Sequence, residues 1–249
     1  MTYTIAVSGK GGVGKTTFAA LAVRHLSEAT GEVVLAVDAD PNYNLGAKLG
    51  TDPGRTLGDL REEMMARGEE PPPGMSKHEY IDYQIRLALK EGKGFDLLTM
   101  GRQEGPGCYC YVNNMLRMFI DRLAEKYAYV VIDNEAGMEH LSRRTTRSSD
   151  TLFVVSDRSK AALDGATRIA RLADEMKLQI RRKALVLNMA DPEAGTPGRA
   201  DRFDAAYAVR RSGMIQAMMT ETESLLSVQR TDHAFSDIAK AVDSERKRT

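Results

Sequence analysis

The stretch SGKGGVGKTT, residues 8–17, is the most informative part of this 249-residue chain. Residues 9–16 match the pattern G-x-x-x-x-G-K-[ST], between an apolar, strand-like run and an amphipathic helical pattern. Glycines in this context let backbone N–H groups surround phosphate oxygens, and the helix start adds partial positive charge. Lys15 is expected to bridge the β- and γ-phosphates of a nucleotide, and the Thr16 hydroxyl to hold Mg²⁺. The alternative interpretation is a simple glycine-rich turn.

The predicted nucleotide-binding residues of this loop are Gly9, Lys10, Gly11, Gly12, Val13, Gly14, Lys15, Thr16 and Thr17. Lys10 stands at the start of the loop, before the backbone wraps the phosphates, so its side chain is not expected to converge on its own nucleotide. Lys10 either has a separate role outside its own nucleotide site or is simply an exposed loop lysine.

Apolar, strand-like runs alternate with amphipathic helical patterns along the chain. The runs are YTIAVS (3–8), EVVLAVD (32–38), FDLLTM (95–100), YAYVVID (127–133), TLFVVS (151–156) and KALVLN (183–188), and the helical patterns cover 16–30, 112–127 and 160–177. This alternation predicts an α/β fold, a P-loop NTPase with a mostly parallel central sheet flanked by helices on both faces. We expect one domain over 1–249, with an irregular insertion at about 51–95 that contains two polar helical stretches. A strand is expected at Met214–Met218, followed by closing helices.

Charge and cysteine content narrow the class of protein. Lysine plus arginine and aspartate plus glutamate both number 35, so the net charge of zero gives no reason to expect a nucleic-acid partner. No apolar run approaches the ~20 residues of a membrane-spanning helix, so no membrane partner is expected. Two cysteines do not form a disulfide framework, and a cytoplasmic location is expected.

Three aspartates follow predicted strands. Alternation along the second strand places Asp38 and Asp40 on the same side, at the carboxyl end where phosphates should bind. One carboxylate can organise the water ligands of Mg²⁺ while the other orients an attacking water; alternatively, both only cap helices or form turns. Asp133 ends the run YVVID and fits a Walker-B carboxylate near Mg²⁺.

Both cysteines of the chain, Cys108 and Cys110, lie in one C-x-C segment, GPGCYCYVNN. Two thiolates supply half of a tetrahedral S₄ site, which a two-fold dimer axis would complete around Zn²⁺ or another divalent ion such as Ni²⁺. The alternative is a pair of small, inert, buried cysteines.

At Lys10 the sequence resembles the deviant P-loop ATPases, whose signature KGGVGKTT carries this extra lysine. The resemblance implies a homodimer in which Lys10 reaches the ATP of the partner, as an arginine finger does in trans. It also implies that Asp40 positions the attacking water, that Asp38 lies on the Mg²⁺ side, and that Asn188 reads adenine. A lone asparagine at a strand end is equally typical of a turn. An apolar segment with proline, which usually helps to hold the base, is replaced here by GMIQAMMTETES (213–224).

In combination, the C-x-C placement, DADPN and DNEAGMEHLSRRT resemble the CooC family, ATPases that help to mature nickel-containing carbon monoxide dehydrogenase. The likeness spans most of residues 1–190. It implies ATP/ADP and Mg²⁺ as cofactors, ATP hydrolysis coupled to nickel delivery, and Ni²⁺ or Zn²⁺ bound by the paired cysteines at the dimer interface. The client is either that dehydrogenase or the related acetyl-CoA synthase, which residues alone do not distinguish.

Two other functions share parts of this pattern. The first is a MinD/ParA-like positioning ATPase whose ATP-switched dimer recruits partners without metal delivery; the tail DIAKAVDSERKRT has too little apolar surface for a membrane anchor. The second is an iron–sulfur reductase like the nitrogenase iron protein, whose cluster cysteines lie on separate loops and do not match an adjacent C-x-C.

Overall fold

The computed structural model describes residues 2–66, 71–101, 118, 120–135, 148–191, 202–221 and 224–248. Its strands are β1 (Tyr3–Gly9), β2 (Val34–Ala39), β3 (Lys90–Gly92), β4 (Phe95–Thr99), β5 (Tyr129–Asn134), β6 (Ser148–Ser156), β7 (Gln179–Ala190) and β8 (Ala205–Arg210). They form a sheet with the order β3-β4-β2-β5-β1-β6-β7-β8. Every pairing in it is parallel except that of β3 with β4.

Helices cover both faces of this sheet. They are α1 (Lys15–Thr30), α2 (Asn44–Lys48), α3 (Leu57–Ala66), α4 (Lys77–Ala88), α5 (Lys160–Glu175), α6 (Gly213–Glu221) and α7 (His233–Arg246). Residues 120–124 are also helical. The predicted α/β fold with a mostly parallel sheet is confirmed.

The core consists of a layer on each face of the sheet. Ala36 of β2 packs in the layer that contains α1 and α7, whereas its neighbour Val37 packs with α3 and α4 on the other face. Buried α5 residues such as Ile169 extend the second layer over β6 and β7. The rings of Phe18 and Phe153 lie 4.9 Å apart between α1 and the sheet. Burial of a side chain of this size stabilises the fold by about 1.5–3 kcal/mol.

Strand register brings the carboxyl ends of three strands together. β5 lies between β1 and β2, and its Asp133 pairs with Val7 on one side and Asp38 on the other. Because these strands are parallel, the loops that follow them leave the sheet at the same edge. The loop after β1 belongs to the glycine-rich stretch SGKGGVGKTT, residues 8–17.

The strands predicted at the six apolar runs and two of the three helical patterns are confirmed. All six apolar runs are strands, and the helical patterns at 16–30 and 160–177 are α1 and α5. The pattern at 112–127 lies largely outside the described residues. Within 51–95 the structure has α3, α4 and the short strand β3. None of the helices in the described ranges combines the length and hydropathy of a membrane-spanning segment.

The strand predicted at Met214–Met218 is wrong, because these residues belong to helix α6. Ser212 starts the helix: its Oγ accepts a hydrogen bond from the backbone N–H of Ile215 at 3.0 Å. Ile215 and Met218, three positions apart, pack on the core, which is the spacing of a helix and not of a strand. Strand β8, which precedes this helix, was not predicted.

Candidate functional site: a phosphate loop with buried carboxylates

The phosphate loop, residues 9–16, has glycines at two positions where neighbouring atoms leave no room for a Cβ atom. A Cβ atom on Gly9, whose φ is 153°, would lie 2.2 Å from the Val155 carbonyl oxygen. Gly14 has a φ of 94°, and a Cβ atom there would lie 2.2 Å from Nδ2 of Asn188. A side chain at position 9 would collide with a backbone oxygen, and one at position 14 would be strained by the positive φ and would displace the Asn188 amide.

The two lysines of the loop occupy different environments. Lys15 begins α1 and is 7% exposed, and its Nζ donates a hydrogen bond to the backbone oxygen of Lys10 at 3.3 Å. Its ammonium group therefore lies over the loop that is predicted to bind phosphate. The Lys10 side chain is exposed to solvent. The separate roles of the two lysines stay a prediction.

Asp133, at the end of β5, is completely buried. Neither of its carboxylate oxygens accepts a well-formed hydrogen bond. Burial raises its pKa to about 7, and the nearby charges of Asp38 and Asp40 act in the same direction. The Thr16 hydroxyl and the Lys15 ammonium group, both nearby, partly oppose this shift in pKa. An uncompensated buried carboxylate beside this loop is costly unless a cation or a donor completes it.

Asp38 is also completely buried, but both of its oxygens are occupied. Oδ1 accepts from the backbone N–H of Asp40 at 3.1 Å, and Oδ2 accepts from that of Leu45 at 2.9 Å. Burial raises the pKa of Asp38 to about 6, although these backbone hydrogen bonds act to lower it. In this structure Asp38 therefore shapes the loop between β2 and α2.

Asp40 lies half-buried in that same loop. Its Oδ1 accepts hydrogen bonds from both the backbone N–H and the side-chain Nδ2 of Asn42, at 2.9 and 2.8 Å. Asn42 thus fixes the orientation of the carboxylate that was predicted to position water. Sequence reasoning missed Asn42, although an aspartate two residues before an asparagine is a common signal for such a turn.

Two further residues near the site, Asn134 and Met219, were not singled out by the sequence. The buried Asn134 donates from Nδ2 to the Val7 carbonyl oxygen at 2.9 Å, while its Oδ1 has no hydrogen-bond partner. Met219 of α6 accepts at its sulfur from Thr17 Oγ1 at 3.8 Å and from Lys48 Nζ at 3.0 Å. These contacts bring α6 against the end of the phosphate loop.

Asn188, at the end of β7, donates from Nδ2 to the Val13 carbonyl oxygen at 2.8 Å. The structure therefore brings Asn188 to the phosphate loop. The predicted site residues Lys10, Lys15, Asp38, Asp40 and Asp133 also lie at this edge of the sheet.

The residues present fit Mg²⁺, because Thr16 and the unpaired oxygens of Asp133 are hard oxygen donors beside the loop. In the described part of the chain, no group of three or more histidine, cysteine, aspartate or glutamate side chains is arranged to hold a metal ion. Cys108 and Cys110 lie outside the described residues, so the shared thiolate site stays a prediction.

A phosphate loop between a parallel strand and a helix, with a Walker-B aspartate on the adjacent strand, places the chain among P-loop nucleotide-binding proteins. Comparison with protein families agrees, since the family model described as an AAA domain matches residues 2–186. The chain belongs to this AAA-domain family.

Two relatives illustrate the range of the family. The chain is 50% identical over 191 residues to an uncharacterized ATP-binding protein of Methanocaldococcus jannaschii. The aligned region covers 76% of this chain and 75% of that protein. It is 32% identical over 227 residues to the carbon monoxide dehydrogenase accessory protein CooC of Rhodospirillum rubrum, covering 86% of this chain and 85% of CooC.

Solved structures share the fold. The cell division ATPase MinD of Pyrococcus furiosus superimposes with a TM-score of 0.72 and 22% identity over the full length of both chains. A ParA family ATPase from Chlorobium tepidum TLS gives a TM-score of 0.72 at 20% identity and covers 97% of each chain. At these identities the likeness shows the fold alone.

Proposed function

We propose that the protein is a Mg-ATP-dependent homodimeric ATPase that serves as a nickel-insertion accessory factor for carbon monoxide dehydrogenase or the related acetyl-CoA synthase. The ATPase part rests on the buried, unpaired Asp133 carboxylate beside the phosphate loop. The accessory part rests on the 32% identity to CooC over 85% of that protein, together with the Cys108–Cys110 pair.

ATP hydrolysis would use the residues at the carboxyl edge of the sheet. Backbone N–H groups of the phosphate loop and Lys15 bind the phosphates, and Thr16 and Asp133 are the groups that would hold Mg²⁺. When bound, Mg²⁺ neutralises charge on the β- and γ-phosphate oxygens. Asp40, held by Asn42, orients the attacking water, and Asp38 keeps this loop in place.

Dimer closure would depend on Lys10. The side chain is exposed, whereas Lys15 already lies over the loop of its own subunit. From an exposed position Lys10 can reach the phosphates of a partner subunit and add charge there, as arginine fingers do. ATP then favours the closed dimer, and its hydrolysis relaxes the segments 38–44 and 133–144, which begin at Asp38 of β2 and Asp133 of β5.

Nickel is the cargo in this proposal. Closure brings two Cys108–Cys110 pairs together, so four thiolates surround one Ni²⁺ or Zn²⁺ ion in an S₄ site. When the interface opens, each subunit keeps two thiolates, and the loss of two ligands makes the ion transferable to the client enzyme.

Anaerobic titration with Ni²⁺ and Zn²⁺, combined with native mass measurement in ADP and in ATP, tests the metal part. Wild type is compared with the double variant Cys108→Ala/Cys110→Ala. The proposal expects one ion per dimer, lost in the double variant while ATP-dependent dimerisation persists. One ion per monomer would contradict a shared site.

Lys10→Ala tests the trans role, with Lys93→Ala as a control because Lys93 is another exposed lysine in a turn. We expect Lys10→Ala alone to lose ATP-dependent dimerisation and turnover. Unchanged dimerisation and turnover in Lys10→Ala would refute the trans role.

The alternative is a positioning ATPase of the MinD or ParA type, whose ATP-switched dimer recruits partners without metal delivery. The fold shared with MinD and ParA structures favours it. ATP-dependent cosedimentation with DNA or with lipid vesicles, in a protein that binds no metal through its cysteines, would support this alternative over metal delivery.

A further inference from the structure

Asn188 of β7 contacts the phosphate loop, which follows β1, although β6 lies between these two strands in the sheet. Its Nδ2 donates to the Val13 carbonyl oxygen at 2.8 Å, across 175 positions of sequence. The same nitrogen lies so close to Gly14 that a Cβ atom there would be 2.2 Å away. The amide of Asn188 is thus packed directly on the peptide unit that joins Val13 to Gly14.

This peptide unit needs an external restraint. Gly14 has a φ of 94° and is the N-terminal cap of α1, where its backbone carbonyl accepts from Phe18 N at 3.0 Å. Glycine is the most permissive residue for backbone rotation, so the peptide preceding it can turn over at little steric cost. The C=O and N–H groups of a trans peptide point in opposite directions. Holding the Val13 carbonyl on the Asn188 side therefore aims the Gly14 N–H at the opposite side.

The backbone around Asn188 is irregular in a way that serves this contact. The register between β7 and β8 shifts between Leu187 and Ala190. Met189 adopts a φ of 54°, which is unusual for a residue with a long side chain. A regular strand would have placed these residues in the ladder, so the sequence keeps a costly conformation beside the loop.

We propose that Asn188 is a positioning residue for the phosphate loop, which orients the Val13–Gly14 peptide so that its N–H group faces bound phosphate. This inference rests on the proposed ATP-binding function and deepens it. It assigns Asn188 to recognition of the triphosphate, whereas an adenine reader acts on the base. The two roles predict different responses to a ligand that has phosphates but no base.

The test uses isothermal titration calorimetry of the full-length protein with Mg-ATP and with magnesium tripolyphosphate. Asn188→Ala removes the side chain, and Asn188→Leu keeps its approximate volume but removes the donor. Gln179→Ala is the matched control, because it removes an exposed amide at the other end of the same strand. Hydrogen–deuterium exchange of the peptide that covers the phosphate loop is measured without ligand.

Both Asn188 variants are expected to bind ATP and tripolyphosphate about five- to tenfold more weakly, by the same factor for each ligand, as the loss of one hydrogen bond implies. Exchange in the loop should become faster, with no change in Gln179→Ala. Weaker ATP binding with unchanged tripolyphosphate binding would overturn the proposal and make Asn188 a base contact. A Leu variant that behaves as wild type would also overturn it, because packing alone would then suffice. A wild-type protein that binds neither ligand would instead remove the proposed function itself.

Discussion

Aspartates in two regions of this molecule are in opposite electrostatic situations. At the carboxyl edge of the sheet, burial raises the pKa of Asp133 to about 7 and that of Asp38 to about 6. Between β8 and α7, burial also acts on Asp237, but the hydrogen bonds and charge of Arg210 lower its pKa below the ordinary value of 3.8. The Asp133 carboxylate is therefore without hydrogen-bond partners, whereas the Asp237 carboxylate is paired with an arginine.

This difference in carboxylate pairing shows where the folded protein is less stable than it could be. In the paired region, Arg210 holds both oxygens of Asp237 at 2.7 and 2.8 Å, and Glu245 accepts from Arg182 Nε at 2.5 Å. At the site, Asp133 has two buried oxygens without partners. Such strain is expected where a ligand completes the structure.

Lys15→Met should have the largest effect, because it removes the cation near Asp133 that is proposed to bind the phosphates. We expect the rate of phosphate release at saturating Mg-ATP to fall by about 100-fold or more. Lys93→Met is the control. A Lys15→Met protein that folds and keeps more than a tenth of the wild-type rate would break the view of this region as a phosphate site.

Asp133→Asn should change stability and activity in opposite directions. Removing a buried, unpaired charge should raise the free energy of unfolding without ligand by roughly 1–3 kcal/mol, while Mg-dependent ATP hydrolysis is lost. Urea unfolding at pH 7 measures the first effect, and phosphate release measures the second. A destabilised variant would show that the Asp133 carboxylate is compensated after all.

Asp237→Asn tests the paired region through pH. A carboxyl group with a lowered pKa in the folded state stabilises the fold above its unfolded pKa, and this stability is lost as the pH falls through the folded pKa. Wild type should therefore exceed the variant by about 1 kcal/mol at pH 7, and the gap should shrink from about pH 5 downwards. Urea midpoints at pH 7, 5 and 4 measure it. A gap that is independent of pH would mean that the ion pair contributes nothing.

The smallest effect is expected for Arg230→Ala. The Arg230 side chain is 63% exposed, and its bond to Glu28 is shared with Arg24. The loss of unfolding free energy should stay below about 0.5 kcal/mol and should vanish in 1 M NaCl. A larger, salt-resistant loss would show that exposed pairs matter as much here as the half-buried pair of Arg210.

Much of this architecture could be predicted from local sequence. Apolar runs located six strands, and the rule that ligands bind at the carboxyl ends of parallel strands brought Asp38 and Asp133 together before their register was known. Contacts between distant segments could not be predicted. The bond from Asn188 to Val13 spans 175 positions, and that from Thr17 to Met219 spans 202. Helix α6 was mistaken for a strand because its methionines fit either pattern until Ser212 and the core fix the helix.

Strand β3 has a consequence for how molecules of this protein meet one another. It has only three residues, Lys90–Gly92, and pairs antiparallel to the apolar strand β4 at the border of the sheet. Lys90 forms an ion pair with Asp52 at 3.0 Å, and Gly92 lies against the ring of Phe95. A long, bare β4 would offer a template on which other chains could add strands and aggregate. The short, charged cover denies them that template at this border of the sheet.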